Sequence, residues 1–278
     1  MLTNRVPPPV YFVVSALFHY LGPAFAVLLF RQVEVLGVAW LRIGAAAVVF
    51  AVWRRPWRLV RAAERSTRWL LLALGVLLAA MNVCFYLAIA RLPLGTVGAI
   101  EFLGPVALAA LGVRTRRNVA ALLGVVAGVG LLTDVRLVAE PVGYLYAFAN
   151  AAGFGLYAAV GHRLAADGAS SGIDRLGVAM LIALVAVTPI GLGPAAEALT
   201  SPALLLAGFG VGICSSVIPY VTDQLAMARL PVATFSLMLA LLPAVAVLIG
   251  VLVLHQLPSA SELGGVALVI AAVALHQP

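Results

Sequence analysis

The stretch Ala88-Ile89-Ala90-Arg91-Leu92-Pro93-Leu94-Gly95-Thr96 returns 138 residues later as Ala226-Met227-Ala228-Arg229-Leu230-Pro231-Val232-Ala233-Thr234. Twelve residues beyond each proline the register still holds, with Pro105 against Pro243. Leu123-Gly124 and Leu263-Gly264 match at an offset of 140. The offset is about half of the 278 residues, so the chain reads as a tandem duplication with halves 1–136 and 137–278. Both copies of the string join one long apolar run to the next, and the composition around them fixes the setting.

The chain is 64% hydrophobic and 10% charged, against roughly 45–50% apolar and about 25% charged in soluble domains. Too few polar side chains remain to coat a water-soluble surface, which argues against a soluble enzyme, a disordered chain or a nucleic-acid-binding module. A bilayer-crossing helix takes about 20 apolar residues. With short connections the length therefore holds about ten. The apolar runs place spans near 10–30, 34–53, 69–90, 93–113, 118–133, 142–161, 176–196, 203–227, 231–254 and 262–276. The runs are long and continuous, without the alternation of a barrel strand, so helices are expected. The fold class is all-α integral membrane: ten transmembrane helices as two inverted five-helix repeats.

Arginine supplies every one of the 17 basic residues, giving a net charge of +7. Arg54, Arg55, Arg58, Arg61, Arg65 and Arg68 follow span two, and Arg114, Arg116 and Arg117 follow span four. With the N-terminus inside, these join Arg5, Arg163, Arg175 and Arg229 on the cytoplasmic face. Arg31, Arg91 and Arg136 fall outside, with the acids Glu34, Asp134, Glu140, Glu197 and Glu262. The positive-inside rule then puts both termini of this multi-pass membrane protein in the cytoplasm. The basic rim is an orientation signal with attraction to anionic lipid, not a nucleic-acid surface. Five spans per repeat is odd, so the halves enter the membrane in opposite senses. Inverted repeats are the architecture of secondary transporters, with a substrate site near the midplane.

A charge at the bilayer centre costs about 2.5–3.5 kcal/mol on insertion scales, so a retained one is a functional candidate. Glu101 is the foremost. Gly98, Glu101 and Pro105 share a helix face, and Pro105 cannot donate to the carbonyl of residue 101. A carboxylate there can carry a proton or meet a substrate ammonium. Arg42, mid-span in helix two, is its expected structural charge partner. Asn82 and Tyr86 lie one turn apart on span three, and the repeat aligns them with Tyr220 and Gln224 on span eight. Asp223 shares the face of Tyr220 and is a second proton-coupling candidate. His19, with Ser15 one turn before it and Gly22-Pro23 after, aligns with Tyr157, which shares a face with Asn150 and Phe154. Substrate-binding candidates are therefore Glu101, Asn82, Tyr86, His19, Tyr157, Asn150, Tyr220 and Gln224, with Pro105 and Pro243 as helix-breaking prolines.

Other features point to packing. Cys84 and Cys214 lie inside apolar runs, as small packing residues rather than a disulfide or metal pair. The four histidines have no metal-ligand spacing, no cofactor motif occurs, and neither metal nor cofactor is expected. Gly124-x-x-x-Gly128 and Gly208-x-x-x-Gly212 permit close helix contact within the chain. Trp53, Trp57 and Trp69 mark residues 54–68 as an interfacial, amphipathic connection.

Several strings, in order along the chain, are similar to one family: Leu41-Arg42, Pro56-Trp57-Arg58, Met81-Asn82, Phe85-Tyr86-Leu87, Leu92-Pro93-Leu94-Gly95, Glu101-Phe102 with Gly104-Pro105, Tyr157, Pro219-Tyr220, Arg229-Leu230-Pro231 and Thr234-Phe235. The chain resembles the drug/metabolite transporter superfamily, EamA type, and within it the threonine/homoserine exporter subgroup. The resemblance implies ten helices in two inverted repeats and a cavity lined by helices one, three, four, six, eight and nine. It further implies efflux of amino acids or similar small metabolites, with Glu101, Asn82, Tyr86, Tyr157 and Tyr220 at the cavity. The sequence departs from the subgroup pattern at Leu242, where a glutamate precedes the ninth-helix proline. It departs again at His255-Gln256, in place of Gly-Glu, and at Val27, in place of a lysine.

The expected activity is secondary transport by alternating access, exporting an amino acid or related zwitterion. Its partners are that small-molecule substrate, protons and membrane lipid. An exporter of hydrophobic drugs or a specialised metabolite is the alternative that Leu239 and Leu242 motivate. An integral membrane enzyme is the alternative of another class, and the lack of clustered catalytic histidines or carboxylates speaks against it.

Overall fold

The computed structural model describes residues 7–104, 115–133, 140–165, 169–227 and 242–275. Among them the chain is helical, without strands: α1 (Pro8–Leu29), α2 (Val35–Arg54), α3 (Trp57–Ala62), α4 (Arg65–Ile89), α5 (Leu94–Glu101), α6 (Arg116–Thr133), α7 (Pro141–Ala165), α8 (Ala169–Gly191), α9 (Ala196–Thr200), α10 (Pro202–Gly212), a π-helical segment (Ile213–Val217), α11 (Ile218–Met227), α12 (Leu242–Leu254) and α13 (Ala260–Leu275). Five stretches are long and apolar enough to cross a membrane: Val10–Leu29, Val35–Arg54, Arg65–Ile89, Gly172–Gly191 and Pro202–Ala226. Shorter apolar helices cover Leu242–Leu254 and Ala260–Leu275.

Helix ends follow local chemistry. Pro8 opens α1, where a missing N–H costs nothing. Ser201 accepts from the Leu204 amide ahead of α10, with Pro202 in its first turn. Ser259 and Glu262 form a reciprocal capping box at α13. The Ser259 amide donates to Glu262 Oε2 at 2.7 Å, and the Glu262 amide donates to Ser259 Oγ at 3.2 Å. That pairing explains why Glu262, expected only as an outer acid, is buried.

Several spans differ from the sequence expectation. The seventh span begins at Ala169 rather than 176 and ends at Gly191 rather than 196. Its polar first turns are held in the helix by Arg54, whose Nε donates to Asp174 Oδ1 at 2.6 Å. Gly191, Gly193 and Pro194 then turn the chain into α9. The third span begins at Arg65, four residues early. The eighth is not one regular helix: the π segment lies between α10 and α11.

Close helix pairs form where glycine removes a side chain. A Cβ on Gly212 would sit 2.5 Å from Ala45 Cβ and 2.7 Å from the Arg42 carbonyl, and one on Gly208 would sit 2.7 Å from Leu41, so α10 seats on α2. Gly124 and Gly128 seat α6 on α13 against Ala272, Val269 and Gly265. Both small-residue motifs therefore serve contacts within the chain. Between these pairs lie two apolar clusters, one centred on α1, α4, α5 and α12 and the other on α2, α4 and α8. Large apolar side chains such as Val52, Val185 and Leu206 face outward, 73–76% exposed, as a hydrocarbon surround allows. Trp53, Trp57 and Trp69 are likewise exposed around α3.

Candidate functional site

Six polar side chains from six helical elements converge on one cavity: His19 of α1, Arg42 of α2, Asn82 of α4, Glu101 of α5, Asn150 of α7 and Tyr220 of α11. Pro23, Met81, Phe85 and Phe154 complete its wall. The cavity volume is about 20 Å³, room for roughly one water and too little for an amino acid.

Glu101 is the last residue of α5, and Phe102 turns before Leu103 and Gly104 resume helical conformation. The break follows from Pro105, which has no N–H to offer the carbonyl of residue 101; Pro105 itself lies outside the described residues. The carboxyl is buried. Asn150 Nδ2 donates to its Oε1 at 3.1 Å, and His19 Nε2 stands 4.0 Å from its Oε2. Tyr20, the neighbour of His19, is fully buried and interacts electrostatically with the same carboxyl. Gly98, one turn earlier, lets α5 approach Ala246 of α12 and the Tyr20 ring.

Arg42 reaches the same cavity, but the direct pair with Glu101 expected from the sequence is not formed: no Arg42–Glu101 contact falls within 4.0 Å. Its Nε donates to Ser216 Oγ at 2.9 Å and its Nη2 to the Ser215 carbonyl at 3.0 Å. The guanidinium also lies over the Tyr86 ring, 5.1 Å from the centroid. The local backbone explains this. The helix winds by i→i+5 where the Ile218 amide meets the Ile213 carbonyl, and Pro219, four residues after Ser215, has no N–H to give the Ser215 carbonyl, which accepts from Arg42 instead. Gly22 of α1 has no side chain where it abuts Ser215.

The structure thus gathers His19, Asn82, Glu101, Asn150 and Tyr220 at one wall and adds Arg42. It does not bring the other sequence candidates there. Tyr86 is fully buried beneath Arg42. Tyr157 stands behind the wall, its ring 6.4 Å from Tyr220 and 6.3 Å from Phe154. Gln224 packs its amide against Gly172 of α8, and Asp223 neighbours Ser15, Tyr157 and Tyr220 without entering the cavity lining. Pro243 is buried as the second residue of α12. Helix two takes a place in the lining that the resemblance did not give it. Sequence reasoning missed Ser215 and Ser216; two adjacent serines inside an apolar run were the available signal. Among the described residues no group of three or more His, Cys, Asp or Glu side chains is placed to hold a metal.

A second recess of about 220 Å³ lies where α5 begins, α12 ends and α13 begins, with Pro93, Thr96, Gly250, Gln256 and Glu262 in its lining. Gln256, one of the departures from the subgroup pattern, accepts there from the Leu94 amide at 2.9 Å and so caps α5.

The profile of the EamA-like transporter family matches residues 141–276. The threonine/homoserine exporter RhtA of Escherichia coli is 34% identical over 255 residues, covering 90% of this chain and 84% of that protein. The exporter of the same name from Salmonella typhimurium is 32% identical over 256 residues, with the same coverage. A solved crystal structure of a protein 20% identical covers 96% of each chain with a TM-score of 0.57, which is a likeness of fold. By its sequence, the chain belongs to the EamA-like transporters of the drug/metabolite transporter superfamily.

Proposed function

We propose that this protein exports a small amino acid of the threonine or homoserine kind across the bacterial inner membrane, by alternating access of two inverted repeats, 1–136 and 137–278. The observation that carries the reading is the buried Glu101 in a small polar cavity whose walls come from both halves. The identity to the two exporters supports the substrate class.

The helix contacts support ten spans related by a pseudo-two-fold axis. α1 packs on α11, and its mirror image is α7 on α4. α4 packs on α8, and α10 with the π segment packs on α2. α1 packs on α12, and α7 packs on α5. The pairs α2–α8, α5–α12 and α6–α13 map onto themselves. A duplicated scaffold of this kind has two near-equivalent arrangements, open to one side or to the other. With both termini cytoplasmic, Arg54 and Asp174 lie at the inner end, and Gln256 with Leu94 at the outer end.

In the transport cycle Glu101 meets the substrate ammonium or exchanges it for a proton. Asn82, Asn150, His19 and Tyr220 offer hydrogen bonds, and Tyr86, Tyr157, Gln224 and Asp223 act from behind them. The polar lining favours this reading over a hydrophobic drug. The experiment is counterflow in vesicles holding the purified protein, with labelled threonine and homoserine, run with and without a pH gradient. Saturable exchange with either amino acid is the expected result. Exchange of neither, or product formation from a metabolite by the protein in detergent, overturns it.

A further inference from the structure

Glu101 and Arg42 are opposite charges on the wall of one small cavity, both buried, at 4% and 5% exposure, and they are not paired with each other. Each is instead engaged by neutral groups of the other half: Glu101 by the Asn150 amide, Arg42 by Ser215 and Ser216. A buried guanidinium among neutral acceptors is poorly compensated, because hydrogen bonds to dipoles offset only part of the cost of taking a cation out of water. Nothing in the immediate shell supplies the missing negative charge: among the described residues no carboxylate lies within 4.0 Å of it.

The geometry of the guanidinium adds direction. The Nε–Nη2 edge is occupied by the π segment, and one face of the guanidinium plane lies over the Tyr86 ring. Nη1 takes no part in the bonds to Ser215 and Ser216, Nη2 keeps a second proton, and the Tyr86 side chain is the other neutral group that interacts with the guanidinium. The end of the fork, Nη1 with Nη2, is therefore the edge left for a planar two-oxygen acceptor. Arg42 lines the cavity at which Glu101 awaits an ammonium.

We propose that Arg42 receives the α-carboxylate of the transported amino acid. The site then reads both ends of a zwitterion: the ammonium at Glu101, beside His19, and the carboxylate at Arg42, above Tyr86. The assignment rests on the amino-acid reading above and sharpens it: amines and amino-acid amides are excluded by charge. It also gives Arg42 a role beyond holding the fold together.

The test is competition against labelled threonine in vesicles carrying the full-length protein, using threonine, threonine amide and 1-amino-2-propanol. The last two keep the amine and hydroxyl and lack the carboxylate. The wild type should prefer threonine by about tenfold or more, the worth of a charge-assisted hydrogen bond of 1.5–3 kcal/mol. In Arg42→Gln the ratio of threonine to amide should collapse towards one, and Arg42→Lys should keep part of it, having the charge without the fork. A purely structural Arg42 would weaken all three ligands together and leave the ratio in place, which overturns the assignment. Where Arg42→Gln does not fold, the wild-type panel decides alone: equal binding of threonine and its amide removes Arg42 from substrate recognition. No threonine exchange at all is a different result, and it removes the amino-acid reading together with this one.

Discussion

In the first half of the molecule α2 and α5 each carry one buried charge to the cavity, Arg42 and Glu101, whereas the facing elements of the second half, α7 and the π segment, bring Asn150, Ser215 and Ser216. The two halves bring different chemistry to the cavity. The difference bears on switching between conformations. A neutral hydrogen bond across the halves contributes about 1 kcal/mol net, more where one partner is charged. Breaking a buried ion pair costs about 3–5 kcal/mol. In the proposed alternating-access cycle, keeping the charges of this cavity on one half and dipoles on the other would ease separation of the halves.

The largest test of that asymmetry is Glu101→Gln, which keeps the shape and removes the charge. Transport should fall to the level of empty vesicles while the protein elutes as the wild type does; full activity would show that the charge is dispensable. Next is the seam between the halves. Gly212→Leu forces a side chain onto Ala45 and the Arg42 carbonyl and should cost about 3 kcal/mol, the upper part of the overpacking range. Gly210→Leu, two residues away with nothing within 4 Å of its Cβ position, should leave the detergent melting temperature nearly unchanged. Equal shifts in the two would contradict the seam. Asn150→Ala strips the carboxyl of its donor and should cost about 2 kcal/mol, read as a lower melting temperature and a weaker apparent affinity. Among the changes expected to weaken the protein, Arg54→Ala has the smallest effect. That pair with Asp174 is short but a quarter exposed, at 24% and 29%, and should contribute below about 1 kcal/mol. A larger loss would place it among the bonds that hold the halves together.

Much of this was legible before any coordinates. The apolar runs located the helices, the glycine motifs located two tight seams, and the cost of a mid-span acid singled out Glu101. Face assignments were less dependable. The spacing that puts Asn82 and Tyr86 on one side of a helix says nothing of what stands in front of each. Asn82 lines the cavity, while Tyr86 lies beneath an arginine from another helix. The partners of Arg42 were hidden for a related reason. A π turn has no hydrophobic period of its own, so Ser215 and Ser216 read as two more residues of an unbroken span. At the far end of the chain, Ser259-x-x-Glu262 carried a capping signal that the search for surface charge passed over. Gln256, a departure from the subgroup pattern, found its purpose only when Leu94 arrived from the other half.

The widened turn at Ile213–Val217 has an evolutionary consequence. Such a turn takes up one surplus residue locally, so the helices on either side keep their own faces. Losing a single codon there would close the turn into ordinary winding and displace the two serines that Arg42 holds, with Gly208 still seated on α2.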